Sequence, residues 1–226
     1  MLTSLVDEKY YEVIKSGGVA ENALIKARDQ IFKDFIDRMQ PTPSSRILDV
    51  GVSDVISDAA NVLERNYQFP EKVTACGVGE CIEFQREFPG ITYRRIEPNA
   101  RLPFKDNAFD VATANAVLEH VGSHENQRLF VSELARVSRR AFITVPNRFF
   151  PIEHHTAIPL LHFTDRGFRV ACSALGKTSW TDSGNLILMT RKKLWRLAGD
   201  LQRSVSVGYT GLLLGPFSSN LYLALH

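Results

Sequence analysis

At 226 residues, with 44% hydrophobic and 23% charged, the chain has the composition of a folded globular protein and the length for one large domain or a domain with an added lid. The 27 Lys and Arg against 25 Asp and Glu leave a net charge of +2, and no basic stripe interleaved with aromatics appears, so nucleic acid is not expected as a partner. The opening MLTSLVDEKYYEV carries acids where a secretory signal needs a basic start and an apolar run, and no apolar stretch approaches the roughly 20 residues that cross a bilayer; a soluble, cytoplasmic protein without a membrane span is expected.

The first periodic segment runs over residues 21–39, where Leu24, Ile25, Ile31, Phe32, Phe35, Ile36 and Met39 form one helical stripe that the prolines of QPTPSS bring to an end. Residues 1–44 are therefore expected to make a helical cover. An alternation follows: a strand over 46–51, a helix over 54–66, a strand over 73–79, a short helix over 81–88, and strands over 91–97 and 109–117. A helix over 125–138 carries Leu129, Phe130, Leu134 and Val137 on one side, and 141–146 is the next strand. From Arg148 to about Asn185 aromatics, histidines, prolines and glycines lose any period, which reads as an insertion or lid. The alternation resumes with a helix over 192–201 and two strands, VSVGYTGLLL and NLYLALH, joined by the turn-rich GPFSSN. Cys76 falls in a strand and Cys81 at the start of a helix; with Cys172 they make an odd count that suggests free thiols, and no metal site is expected from them.

Strands that are apolar nearly throughout, separated by amphipathic helices, specify a parallel sheet covered on both faces. The expected fold is α/β and doubly wound: a mostly parallel seven-stranded sheet with an antiparallel closing strand in a three-layer sandwich, over residues 45–226, with the insertion at about 148–185. In such sheets ligands bind beyond the carboxyl ends of the strands, which directs attention to the loops after Gly51, Gly79, Glu97, Val117 and Pro146.

Three of these loops carry quotable motifs: ILDVG ending at Gly51, RLPFKDNAFDVATANAVLEHV over residues 101–121 with an LPF-x-D-x-x-FD element, and AFITVPNR over 141–148. On these residues the chain resembles the class I S-adenosylmethionine-dependent methyltransferases, in particular their small-molecule, methyltransferase type 11-like branch. The resemblance covers roughly residues 45–148. It implies S-adenosylmethionine as cofactor and methyl transfer to a small-molecule or sugar-bearing acceptor. It also places Asp49 near the amino group of the cofactor's methionine part, with capping of loop amides as the competing role.

The chain departs from the family's pattern at two loops. Where the family has Gly-x-Gly-x-Gly, this sequence keeps Gly51 alone and continues Val52-Ser53-Asp54, so Gly51 is expected at the point of closest approach to a ligand, and Ser53 and Asp54 as helix N-caps that preserve an amide-rich helix start. Where the second strand would end in a ribose-binding acid there is Gly79, and Glu80 follows; Glu80 either accepts the ribose hydroxyls or caps the next helix. Asn99 is placed for an adenine edge or an ordinary turn.

Asn115 and His120 are carried by the loop after the fourth strand toward the same cavity, His120 being suited by type and place to act as a base. In the insertion, Glu153, His154 and His155 lie among apolar residues just after the fifth strand, where acceptors approach in this family; His154 and His155 are the favoured catalytic candidates, since an imidazole takes a proton near neutral pH. Neighbouring side chains diverge, so this pair is not expected to share an ion. The alternative to a catalyst is a methyltransferase-like domain with weak or no cofactor binding, acting as an interaction or regulatory protein; a nicotinamide-dependent oxidoreductase would need the glycine-rich pyrophosphate turn that is missing.

Overall fold

The computed structural model describes residues 19–226; the part of the expected helical cover in residues 1–18 lies outside them. Helix α1 (Val19–Met39) leads into β1 (Ile47–Val50), α2 (Val62–Asn66), β2 (Val73–Gly77), α3 (Ile82–Glu87) and β3 (Thr92–Arg95). Then come β4 (Phe109–Asn115), α4 (His124–Val137), β5 (Ser138–Pro146), α5 (Asp165–Ala174), α6 (Arg191–Ala198), β6 (Val205–Leu214) and β7 (Phe217–Leu225). One seven-stranded sheet results, in the order β3-β2-β1-β4-β5-β7-β6. The pairs β1·β2, β2·β3, β1·β4 and β4·β5 are parallel, while β7 runs antiparallel to both β5 and β6.

Burial on both faces is what the unbroken apolar strands require. β7 shows the rule residue by residue: Leu221, Leu223 and Leu225 join the cluster under α4 and α6 with Val131, Leu134, Leu194 and Leu197, whereas Tyr222 and Ala224 join the opposite cluster with Ile31, Phe35, Met39 and Phe84. Helix α1 lies over the second face, with Phe35 edge-on to Phe142 at 6.1 Å, the Arg38 guanidinium 4.1 Å from the Tyr222 ring centre, and Asp34 accepting a hydrogen bond from the Thr210 hydroxyl. All three cysteines are free and buried.

Two segments differ from the expectation. The helix expected over 54–66 is reduced to α2, because short polar side chains take the backbone groups a helix would have used. The Ser53 amide donates to Asn61 Oδ1 at 3.0 Å and Asn61 Nδ2 donates back to the Ser53 carbonyl at 2.8 Å, stapling an irregular loop, while Asn61 itself sits at a left-handed φ of 51°. Asp54 does not cap this segment either: its Oδ1 accepts from the Phe84 amide of α3 at 2.9 Å.

The insertion, for its part, is not structureless. It holds α5, capped by Thr164 whose hydroxyl accepts from the Gly167 amide at 3.1 Å, and packs Ile158, Phe168, Cys172, Trp180 and Leu186 into a small core of its own. Leu129, expected on the apolar side of α4, is 37% exposed and borders a cleft.

The staple is a testable part of the fold. Asn61→Ala removes two buried hydrogen bonds and strands the Ser53 amide and carbonyl, which should cost about 1–3 kcal/mol in a urea unfolding titration; a midpoint equal to that of the unaltered chain would mean that the loop does not depend on Asn61.

Candidate active site

β1 and β4 are neighbours, but the chain leaves β1 toward β2 and leaves β4 toward β5, so their connecting loops part and open a crevice at the strand ends. Two hollows meet there. The larger, about 380 Å³, runs past the ends of β1, β2 and β3 and is bordered by Gly77, Val78, Glu97, Asn99, Leu102 and Phe130. The smaller, about 100 Å³, lies under α1 and is bordered by Arg28, Phe32, Asp49, Thr113, Asn115 and Phe142. Gly51, Val52, Ala116 and His120 line both.

Of the residues expected in the site, Asp49, Gly51, Ser53, Asn115 and His120 border the smaller hollow and Gly51, Asn99 and His120 the larger. Asn115 is held in place, its Oδ1 accepting from the Thr144 hydroxyl at 2.5 Å. Ser53 keeps its place at the wall, yet its amide is spent on Asn61 and its hydroxyl accepts from the Val55 amide at 3.1 Å, so Ser53 starts no helix; the helix that borders the hollow is α2, which begins at Val62.

Gly51 lines both hollows, and its own backbone demands a glycine there. It adopts φ 104°, and a Cβ there would lie 2.2 Å from Val117 Cγ2; the glycine is demanded by the close approach of the two parting loops. Glu80 lies outside both hollows, exposed and ion-paired with Arg95, because the second strand ends at Gly77 and the chain turns outward before reaching it. Glu97, in the loop after β3, does border the cleft, as do Glu133 and Asp182. Glu97 lay within a loop already marked by the alternation, whereas Arg28, on a helix whose apolar stripe dominates, gave no signal in the sequence.

Charge in the smaller hollow is set by Asp49 and Glu64. Burial pushes the Asp49 carboxyl up to about 6, against hydrogen bonds from Glu64 and the Val50 backbone that favour its charge. Glu64, also buried and next to Asp49, is held well above the ordinary carboxylate range because two adjacent buried carboxyls resist ionising together.

The histidines are joined in a way the sequence did not show. His155, fully buried, places Nδ1 2.8 Å from Glu153 Oε1 and Nε2 3.1 Å from His120 Nε2, and His120 Nδ1 lies 2.7 Å from the Asn185 carbonyl. A carbonyl only accepts, so His120 donates from Nδ1 and its Nε2 carries a lone pair; His155 Nε2 must then be the donor between the rings. Glu153 accepts further hydrogen bonds from the amides of His155 and Thr156 and from the Thr156 hydroxyl; burial raises its carboxyl, but the adjacent His155 imidazole, aided by the Thr156 hydroxyl and the His155 amide, holds it below the ordinary range. For His155, burial opposes the charge, but Glu153 outweighs it and raises the imidazole pKa. His120 is lowered to about 3 by burial and by the neighbouring His155.

His154 diverges from His155, packing its ring 5.6 Å from Phe150 and bordering neither hollow. Of the two favoured histidines, His154 thus stays away from the crevice and His155 reaches it only through His120. Trp180 closes over the pair, its ring centre 5.1 Å from His155 and 6.4 Å from His120.

The strand order, the helices on both faces and the crevice between β1 and β4 are those of the class I methyltransferase fold. Residues 74–141, from β2 into β5, match the family model of a methyltransferase domain, and that segment lies within this fold.

Similar solved structures include an S-adenosylmethionine-dependent methyltransferase from Aquifex aeolicus, 14% identical, with a TM-score of 0.59 over 97% of each chain. One from Methanosarcina mazei is 16% identical, with a TM-score of 0.55 over 84% of this chain and 94% of that one. The magnesium protoporphyrin IX methyltransferase of Synechocystis PCC 6803, solved with S-adenosylmethionine bound, is 13% identical with a TM-score of 0.58, covering 96% of this chain and 89% of its own. No functionally curated protein matches the sequence. Among the described residues no helix is long and apolar enough to cross a membrane.

The carboxyl pair gives a pH prediction. Asp49 and Glu64, ordinarily near 3.8 and 4.5, hold protons in the folded state that the unfolded chain releases, so stability falls as pH rises through the window from about 4 to above 6. Glu64→Gln should flatten that fall in melting temperatures recorded across the window; an unchanged slope would remove the pair as its cause.

Proposed function

We propose that the chain binds S-adenosylmethionine in the larger hollow, with the methionine part reaching into the smaller one, and transfers its methyl group to a small-molecule acceptor. The observation that carries this reading is the meeting of the two hollows at Gly51, Ala116 and His120, which brings an adenosine-sized cleft and a smaller pocket with charged and apolar walls to one point. The residues present suit such a cofactor: it has no pyrophosphate to need a glycine-rich turn, and Asp49 stands at the wall where a cationic ammonium would be favoured.

When bound, S-adenosylmethionine supplies a methyl group on a positively charged sulfur. Glu97, at the end of β3, is placed to accept hydrogen bonds from ribose hydroxyls in the role first expected of Glu80, and Asn99 beside it can meet the adenine edge. Arg28, buried in α1 at the wall of the smaller hollow, matches the cofactor's carboxylate. Phe32, Phe35 and Phe142 line the same small hollow beside the polar Thr113 and Asn115, so an acceptor that reaches the meeting point finds both apolar and polar contacts, Asn115 being fixed by Thr144.

An in-line displacement at sulfur depends on alignment more than on acid–base chemistry, and a rigid, water-poor meeting point supplies it. His120, neutral at pH 7, borders that point. His155 and Glu153 act through it as positioning residues, and His154 takes no part.

A second reading, a methyltransferase fold that no longer binds the cofactor, draws on one observation: the loop after β1 has no glycine beyond Gly51 and runs irregularly until α2 begins at Val62. Calorimetry with S-adenosylhomocysteine separates the two. Saturable binding is expected, weakened about tenfold or more in Glu97→Ala, since a charge-assisted hydrogen bond is worth about 1.5–3 kcal/mol, and unaltered in Glu80→Ala. Absence of binding to the unaltered chain would establish the second reading, and equal weakening in both variants would return the ribose to Glu80.

A further inference from the structure

Behind the crevice, three donor atoms converge that methyl transfer does not require. Glu119 Oε, His120 Nε2 and His155 Nε2 lie within 4.8 Å of one another, with the two imidazole nitrogens 3.1 Å apart and Glu119 Oε1 3.9 Å from His120 Nε2. Glu119 is 1% exposed and neither of its carboxylate oxygens has a hydrogen-bond partner among the described residues. A buried carboxylate in that condition costs several kcal/mol unless something supplies the missing interaction.

We infer that Glu119, His120 and His155 form a binding site for one divalent transition-metal ion. Two nitrogens each 2.0–2.1 Å from one ion, at angles between octahedral and tetrahedral, lie about 2.8–3.4 Å apart, which spans the observed separation. The carboxylate closes its longer gap by turning about its side chain.

The surroundings are built as an outer shell. Each histidine that would bind through Nε2 has Nδ1 anchored: His155 to Glu153 at 2.8 Å, His120 to the Asn185 carbonyl at 2.7 Å. Such anchoring of the second ring nitrogen by a carboxylate or a backbone carbonyl fixes ring orientation and is the usual companion of a metal-bound imidazole. Glu153 is itself held by the amides of His155 and Thr156 and by the Thr156 hydroxyl, so the anchor does not swing, and Trp180 roofs the pair.

Two imidazoles and one carboxylate suit zinc, iron, cobalt, nickel or manganese better than magnesium or calcium, which prefer oxygen donors. Three protein donors leave at least one coordination position open, and His120 is the ligand that borders both hollows. His154 and His162 do not belong to this group of converging donors, His162 Nε2 being 2.8 Å from the Phe150 carbonyl, and they serve as controls.

The test uses the full chain without a histidine tag, stripped with a chelator and titrated with Zn²⁺ and with Co²⁺ alone, by calorimetry and by the visible spectrum of bound cobalt. One ion per chain is expected. Glu119→Gln and His155→Ala should each weaken binding at least about tenfold, and Glu153→Gln by about 10–100-fold, as measured for outer-shell partners; His154→Ala and His162→Ala should leave affinity unchanged. Circular dichroism establishes that each variant is folded, and the titration of the unaltered chain decides the matter even where a variant is not. No saturable ion on the unaltered chain, or full affinity in Glu119→Gln and His155→Ala, overturns the site. Neither outcome bears on binding of S-adenosylhomocysteine, which is measured separately.

Discussion

Everything that gives this chain a site follows from the side-by-side pairing of β1 with β4, strands whose continuations run to opposite ends of the sheet. Because the loops after them must part, backbone cannot fill the space beyond their carboxyl ends, and a crevice forms without any residue having been chosen to make one. The parting is tight at its root, where Gly51 leaves no room even for a Cβ against Val117. The hollows on either side of that contact, and the placing of His120 at their junction, are consequences of the same topology.

Around this crevice the chain buries an unusual amount of acid, and the acids are treated differently. Glu153 receives hydrogen bonds from two amides, a hydroxyl and an imidazole, and stays ionised although buried. Asp49 and Glu64 share one buried neighbourhood and resist ionising together. Glu119 has no hydrogen-bond donor among the described residues, and burial pushes its carboxyl up to about 7. A fold retains such groups against the cost of desolvation only where interactions return it, and the contrast between Glu153 and Glu119, which stand beside the same histidine pair, marks the second as the group that faces something the chain itself does not supply.

The strands were legible because period and apolarity over short segments are local properties: all seven expected strands are found, with ends shifted by a few residues, and the closing strand is antiparallel as expected. The helix expected over 54–66 failed for a reason equally local but harder to see. Asn61 and Ser53 are eight residues apart, and their mutual hydrogen bonds compete with helix formation only once the loop has folded back. The insertion gave no period because its apolar residues serve a small core closed by several short turns. Asp49, Gly51, Asn99, Asn115 and His120 line the hollows because they stand at strand ends, whereas Glu80 lies outside them, since the second strand stops at Gly77 and Glu80 pairs with Arg95.

The sequence by itself determined the fold class, the order of strands and helices, and the edge of the sheet at which ligands would bind, since each of these rests on patterns of hydrophobicity read within a dozen residues. Only the tertiary structure decided which polar side chains meet. Glu119 and His120 follow β4 while His155 comes from the insertion beyond β5, 35 residues later, and nothing in either segment specifies the other's distance or direction. Which of two adjacent histidines turned inward, and which carboxylate it would find there, depended on how the insertion packs against the strand ends, and packing is a property of the folded chain rather than of any stretch of it.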